Sequence, residues 1–125
     1  MNLTNLFRLH AILAALYALG LLVAPHVLIS LLSPLPLNAV GVDISRLFGA
    51  ALVLITFITW RASRLADRPA RRMVAGGLLV YSILGAIITA GGQFAGTWSA
   101  LGWCSIISYL IFVLGYGYFL FLKPQ

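Results

Sequence analysis

The chain has 125 residues, of which 62% are hydrophobic and 8% charged, and it carries a net charge of +6. This length allows one domain, residues 1–125. So much apolar surface excludes a soluble fold of this size and leaves a bilayer as the solvent. Five of the eight cations lie between Arg61 and Arg72, beside an apolar run. That placement points to anionic lipid head groups rather than nucleic acid, which is not expected as a partner. The one cysteine, Cys104, lies in an apolar run and excludes an intrachain disulfide or a cysteine-rich metal site.

No formal charge occurs between Arg8 and Asp43. Residues 6–24 fit a first spanning helix, close to the roughly 20 residues a crossing needs. Pro25 opens a short interfacial helix, residues 25–33, which Pro34 and Pro36 end. No small-residue cleavage pattern follows the first apolar run, so a signal peptide is not expected. After a loop over residues 35–41, the second helix covers 42–63, with Asp43 and Arg46 at one end and Arg61 at the other. Its uncharged core is short, so Arg46 and Arg61 snorkel to the two interfaces. Asp67 is a good N-cap for the third helix, residues 68–92, and Pro69 suits its first turn. A Gly-Gly-Gln-Phe-Ala-Gly-Thr turn from Gly91 leads to the fourth helix, residues 97–122. The expected fold class is all-α: a four-transmembrane-helix bundle with a short interfacial helix after the first span.

Charge sets an expected orientation. The N-terminus, the arginine loop and the C-terminus share one side and carry seven cations, while the other side has Arg46 alone, three residues from Asp43. Both termini are therefore expected in the cytoplasm. Aromatic belts fit this, with Trp98 and Trp103 at the outer interface and Trp60, Tyr116 and Tyr118 at the inner one. Arg61, Arg64, Arg68, Arg71 and Arg72 are read as head-group and topology residues.

Spanning helices gain little hydrophobic energy by meeting, so smooth faces of small residues hold them together. Ladders at i, i+4 occur at Ala14 and Ala18, Ser45 and Gly49, Ser82, Ala86 and Ala90, and Ala100, Cys104 and Ser108. They serve either packing within the bundle or docking on another membrane protein. A second stripe on the third helix, Gly77, Tyr81, Gly85 and Thr89, suggests that this helix is the central one.

His26, Asn38, Asp43, Arg46, Gln93, Thr97 and Trp98 are expected near the outer interface, where polar groups are candidate ligand-binding residues. Asp43 and Arg46 read either as a helix start with a local ion pair, or as part of an outward pocket roofed by 25–33. In the second case Arg46 binds an anionic head group or carboxylate. His10 and His26 are 16 residues apart, about 24 Å along one helix, and cannot share a haem or metal. No metal site is expected, and no catalytic set is apparent, whether Ser/His/Asp, Cys-x-x-Cys or a phosphate loop. Neither aspartate sits at the mid-depth a proton carrier requires.

The sequences Leu22-Val23-Ala24-Pro25, Arg46-Leu47-Phe48-Gly49-Ala50-Ala51-Leu52, Gly92-Gln93-Phe94-Ala95-Gly96, Ala100-Leu101-Gly102-Trp103 and Leu114-Gly115-Tyr116-Gly117-Tyr118-Phe119 carry a resemblance. In their order and spacing they resemble small uncharacterised four-helix bacterial integral membrane proteins, over about residues 5–120. More loosely the chain is similar to the DoxX-like four-helix proteins, some of which are associated with quinone-linked thiosulfate oxidation. The resemblance implies a four-helix bundle in a bacterial cytoplasmic membrane and transfers no activity. The leading expectation is a non-enzymatic accessory or scaffold subunit that packs against other membrane proteins or its own copies. The alternative is a binding protein for a small lipophile, a quinone or lipid, through the outer polar cluster. No cofactor beyond such a lipid or quinone is expected.

Overall fold

The computed structural model describes residues 2–123, and within them the chain is all-α. Helix α1 runs Leu3–Val23, α2 Pro25–Leu32, α3 Ala39–Ala62 and α4 Arg68–Phe94. A 3-10 turn, Ala100–Gly102, leads into α5, Trp103–Gly117, which widens into a π turn at Tyr118–Leu122. Four helical stretches, Leu3–Val23, Ala39–Ala62, Arg68–Phe94 and Ala100–Leu122, are long and apolar enough to cross a bilayer. The chain is a multi-pass membrane protein by helix length and hydropathy.

Local chemistry explains each boundary. Asn2 caps α1 by accepting a hydrogen bond from the Asn5 N–H at 2.8 Å. This starts the helix at Leu3 rather than Leu6. Ala24 leaves the helical region and Pro25 occupies the first position of α2, so the chain turns there. Asn38 caps α3 by accepting from the Gly41 N–H at 2.7 Å, which starts that helix at Ala39 instead of Val42. Asp43 consequently lies beyond the first turn and does not cap the helix dipole as the sequence suggested. Asp67 caps α4, with Pro69 in its first turn. Gly96 takes φ 82°, a left-handed conformation that favours glycine, and lets the chain reverse after α4. Residues 97–99 are not helical. The Ser99 N–H bonds the Leu32 carbonyl at 2.7 Å and the Ser99 hydroxyl bonds the Leu31 carbonyl at 2.9 Å. Ser33 Oγ in turn donates to the Thr97 carbonyl. These bonds fasten α2 to the α4–α5 turn and delay the fourth span to Ala100.

Both described chain ends and the α3–α4 loop lie at one end of the bundle, here the terminal end; α2 lies at the other. The tightest packing is at the terminal end, around Leu3, Leu6, Phe7, Ala62, Ala75, Leu78, Phe112, Tyr116 and Phe119. A second cluster joins Ala14, Ala18 and Leu21 of α1 to Leu52 of α3. The central helix is α1, not α4: 39% of its apolar window is buried, against 17% for α4. Gly77, expected to pack, is exposed and a Cβ there would touch nothing within 4 Å. The rest of that stripe does pack in part, Gly85 and Tyr81 meeting Tyr109 of α5.

Candidate functional site: a cavity between the helices

Packing sorts the spans into two close pairs, α1 with α3 and α4 with α5. Small residues let α1 and α3 approach. A Cβ on Gly49 would lie 3.1 Å from Leu21 Cβ and 3.4 Å from the Ala18 carbonyl. The pairs meet through the large side chains at the terminal end and part toward the α2 end. The space between them is a cavity of about 550 Å³, within the range of small-molecule sites.

Every helix contributes wall. Leu13, Ala14 and Leu21 come from α1, Leu28, Ile29 and Leu32 from α2, and Ile44, Phe48 and Leu52 from α3. Leu84 and Ile88 come from α4, and Trp98 closes the α2 end with Gly102. Ile44, Phe48, Leu84 and Ile88 line the cavity and are also exposed. The cavity thus has a mouth between α3 and α4, within the two candidate spans. Among the described residues no Asp, Glu, Lys or Arg lines it.

The polar groups gather toward its deeper part. His10 Nδ1 lies 2.9 Å from the Tyr116 hydroxyl, and its ring stacks on Phe112 at a centroid distance of 3.9 Å and an angle of 12°. Tyr81 and Tyr109 hydroxyls are 3.2 Å apart, and Tyr17 and Ser105 hydroxyls 3.3 Å. Thr89 and Ser108 donate to carbonyls of their own helices, so neither has a hydroxyl hydrogen left for the cavity. Chemically, the site can desolvate an uncharged apolar molecule and offer it a few hydrogen bonds.

The residues proposed from sequence occupy varied positions. Trp98 lines the cavity. Gln93 lies beside it, donating to the Ser99 carbonyl at 3.0 Å, while its Oε1 is buried without a partner among the described residues. Asp43 and Arg46 flank a shallow hollow with Leu47 on the outside of α3. His26 is exposed in the first turn of α2, and Asn38 is spent on its capping bond. Among the described residues no hydrogen bond joins these groups into one cluster. Of the small-residue ladders, Ala14, Ala18 and Gly49 lie at the α1–α3 contact, and Ser45 and Ser108 line the cavity. Ser82 is fully buried, Ala86 and Ala90 are half-buried, and Ala100 and Cys104 are exposed.

Arg61, Arg64 and Arg68 are exposed, with Arg64 over the Trp60 ring at 5.2 Å. Arg71 instead reaches three places. It donates to the carbonyls of Ala62 and Leu65 at 3.3 and 3.1 Å, and to Thr4 Oγ1 at 2.9 Å. Arg72 donates to the Leu120 carbonyl at 2.9 Å. Tyr116 also departs from expectation. It is fully buried against α1 rather than placed in an interfacial belt, because its hydroxyl finds His10 there. Sequence reasoning passed over His10, Tyr17, Tyr81, Ser105 and Tyr109 as a group. Their signal was polar atoms in the middle of apolar spans.

The model of a family described as Domain of unknown function (DUF8292) matches residues 1–121. No curated protein and no solved structure matches the chain.

Proposed function

We propose that this chain, which belongs to the DUF8292 family, is a non-enzymatic membrane protein that binds a small neutral lipophile between its helices. The supporting observation is the 550 Å³ cavity, whose lining includes no charged residue and whose mouth opens between two spans. A desolvated site without a cation or acid is costly for a charged head group, so a neutral quinone-like or lipid-like molecule fits better than a phospholipid head. Entry from the bilayer follows from the position of Phe48 and Ile88 at the mouth. The binding groups are those of the cavity rather than the outer-face set His26, Asn38, Asp43 and Arg46.

The accessory-subunit reading rests on free small-residue faces. Most of these residues are not free: Ala14, Ala18 and Gly49 are occupied within the bundle, Ser82 is fully buried, and Ser45 and Ser108 border the cavity, which leaves Ala100 and Cys104 exposed. This favours the lipophile reading over it. For placement we propose a bacterial cytoplasmic membrane with both termini inside, supported by the cation excess at the terminal end.

The test is a mass-spectrometric analysis of organic extracts from gently solubilised protein, parent beside Ser108→Phe. Ser108 bonds only its own helix among the described residues, so the phenyl ring fills the cavity without breaking a bond between helices. The parent should carry one neutral species in near-stoichiometric amount, and the variant should lose it while remaining folded. A parent that carries none and runs instead as a large heteromeric assembly would favour the accessory reading.

A further inference from the structure

We infer that the cavity selects a ligand bearing a hydrogen-bond-accepting oxygen, a ketone-type carbonyl, which His10 Nε2–H engages. This deepens the lipophile reading and rests on it. In a neutral imidazole one ring nitrogen carries hydrogen and the other accepts. Tyr116 is fully buried, and among the described residues its hydroxyl has one partner, His10 Nδ1. A buried O–H without an acceptor is costly, so Tyr116 donates and Nδ1 accepts. The hydrogen of His10 then resides on Nε2. That nitrogen has no partner among the described residues, in a side chain 4% exposed that borders the cavity. Stacking on Phe112 at 12° fixes the ring plane, so the donor is preorganised.

The neighbouring hydroxyls lean the same way. Tyr81 and Tyr109 hold two O–H hydrogens between them, and their mutual bond uses one. Their other hydrogen has no acceptor among the described residues, although both side chains line the cavity. The deep part of the cavity therefore holds N–H and O–H donors in excess of those that have found an acceptor. An oxygen acceptor satisfies that excess, whereas a pure hydrocarbon leaves it unmet.

The test compares two probes of similar size, a fluorinated benzophenone and the matching fluorinated 1,1-diphenylethylene, which replaces the carbonyl oxygen with a CH₂ on the same planar centre. Binding to delipidated protein in detergent is followed by fluorine NMR. The ketone should bind the parent about tenfold more tightly, as expected for one desolvated hydrogen bond. The double variant His10→Phe with Tyr116→Phe removes both partners at once and leaves no orphaned hydroxyl; in it most of the preference should go, with only the share of the free Tyr81–Tyr109 hydrogen remaining. His10→Gln, which keeps an N–H donor, should restore part of it. Nitrogen-15 NMR of histidine-labelled parent should show His10 protonated at Nε2, with exposed His26 as the internal control. Equal binding of both probes would overturn the carbonyl assignment and leave the lipophile reading standing. A preference undiminished in the double variant, or a His10 protonated at Nδ1, would overturn the role of His10. Binding of neither probe would overturn both readings.

Discussion

Across 106 positions of chain, the Tyr116 hydroxyl comes within 2.9 Å of His10 Nδ1, joining the first span to the last below the cavity. Losing either partner strands the other in an apolar site, so the single substitutions should cost more than their pair. Tyr116→Phe and His10→Phe should each destabilise by roughly 1–3 kcal/mol. The double variant should fall well short of the sum. Thermal unfolding in detergent, run as a double-mutant cycle, measures this; strict additivity would mean that the bond does not form.

Arg71 makes a different connection, from α4 to the end of α3 and to Thr4 of α1. The planar guanidinium serves three acceptors at once, which a lysine ammonium on a differently shaped stem does not reproduce. Arg71→Lys should lower stability by about 1–3 kcal/mol. Exposed Arg68→Lys should have almost no effect. Equal melting temperatures for the two variants would assign Arg71 to the head groups alone.

Two glycines of α4 should respond oppositely to alanine. A Cβ on Gly85 would run into the Tyr109 ring and press it away from Tyr81, whereas a Cβ on Gly76 meets nothing within 4 Å. Gly85→Ala should destabilise the bundle. Gly76→Ala should leave it unchanged or raise its stability by up to about 1 kcal/mol through helix propensity. The pair of melting curves decides it.

The spans were legible because membrane helices announce themselves. Apolar runs bounded by Pro25, Pro34, Asp67 and Gly96 mark where the backbone must turn or be capped. Asn38 was the missed boundary signal, since a capping asparagine lies ahead of the apolar periodicity it starts. The interior of the cavity was not legible, although Trp98, a candidate from sequence, lines it. It is a gap left where α1 and α3 diverge from α4 and α5, and no residue encodes a gap by itself. His10 and Tyr116 share no sequence periodicity, and only the assembled bundle brings them together. Arg71 and Arg72 read as surface charge because composition does not reveal how far a side chain reaches inward.

Orientation has its own check. Single cysteines at exposed Leu35 and Ala66, in a Cys104→Ser background, should react from opposite sides of intact cells. An impermeant thiol reagent should label the residue-35 variant and spare the residue-66 variant. The reverse pattern would invert the assignment made from the cation count.

Occupancy of the cavity is tested most directly by photolabelling with a neutral lipophile that carries a diazirine, followed by peptide mapping. Adducts should concentrate on cavity-lining positions of α1 and α5, around Tyr17 and Ser105, and should disappear in Ser108→Phe. Adducts confined to outward residues such as Leu16, Leu114 and Phe121, or a pattern unchanged in the filled variant, would contradict a ligand held between the helices.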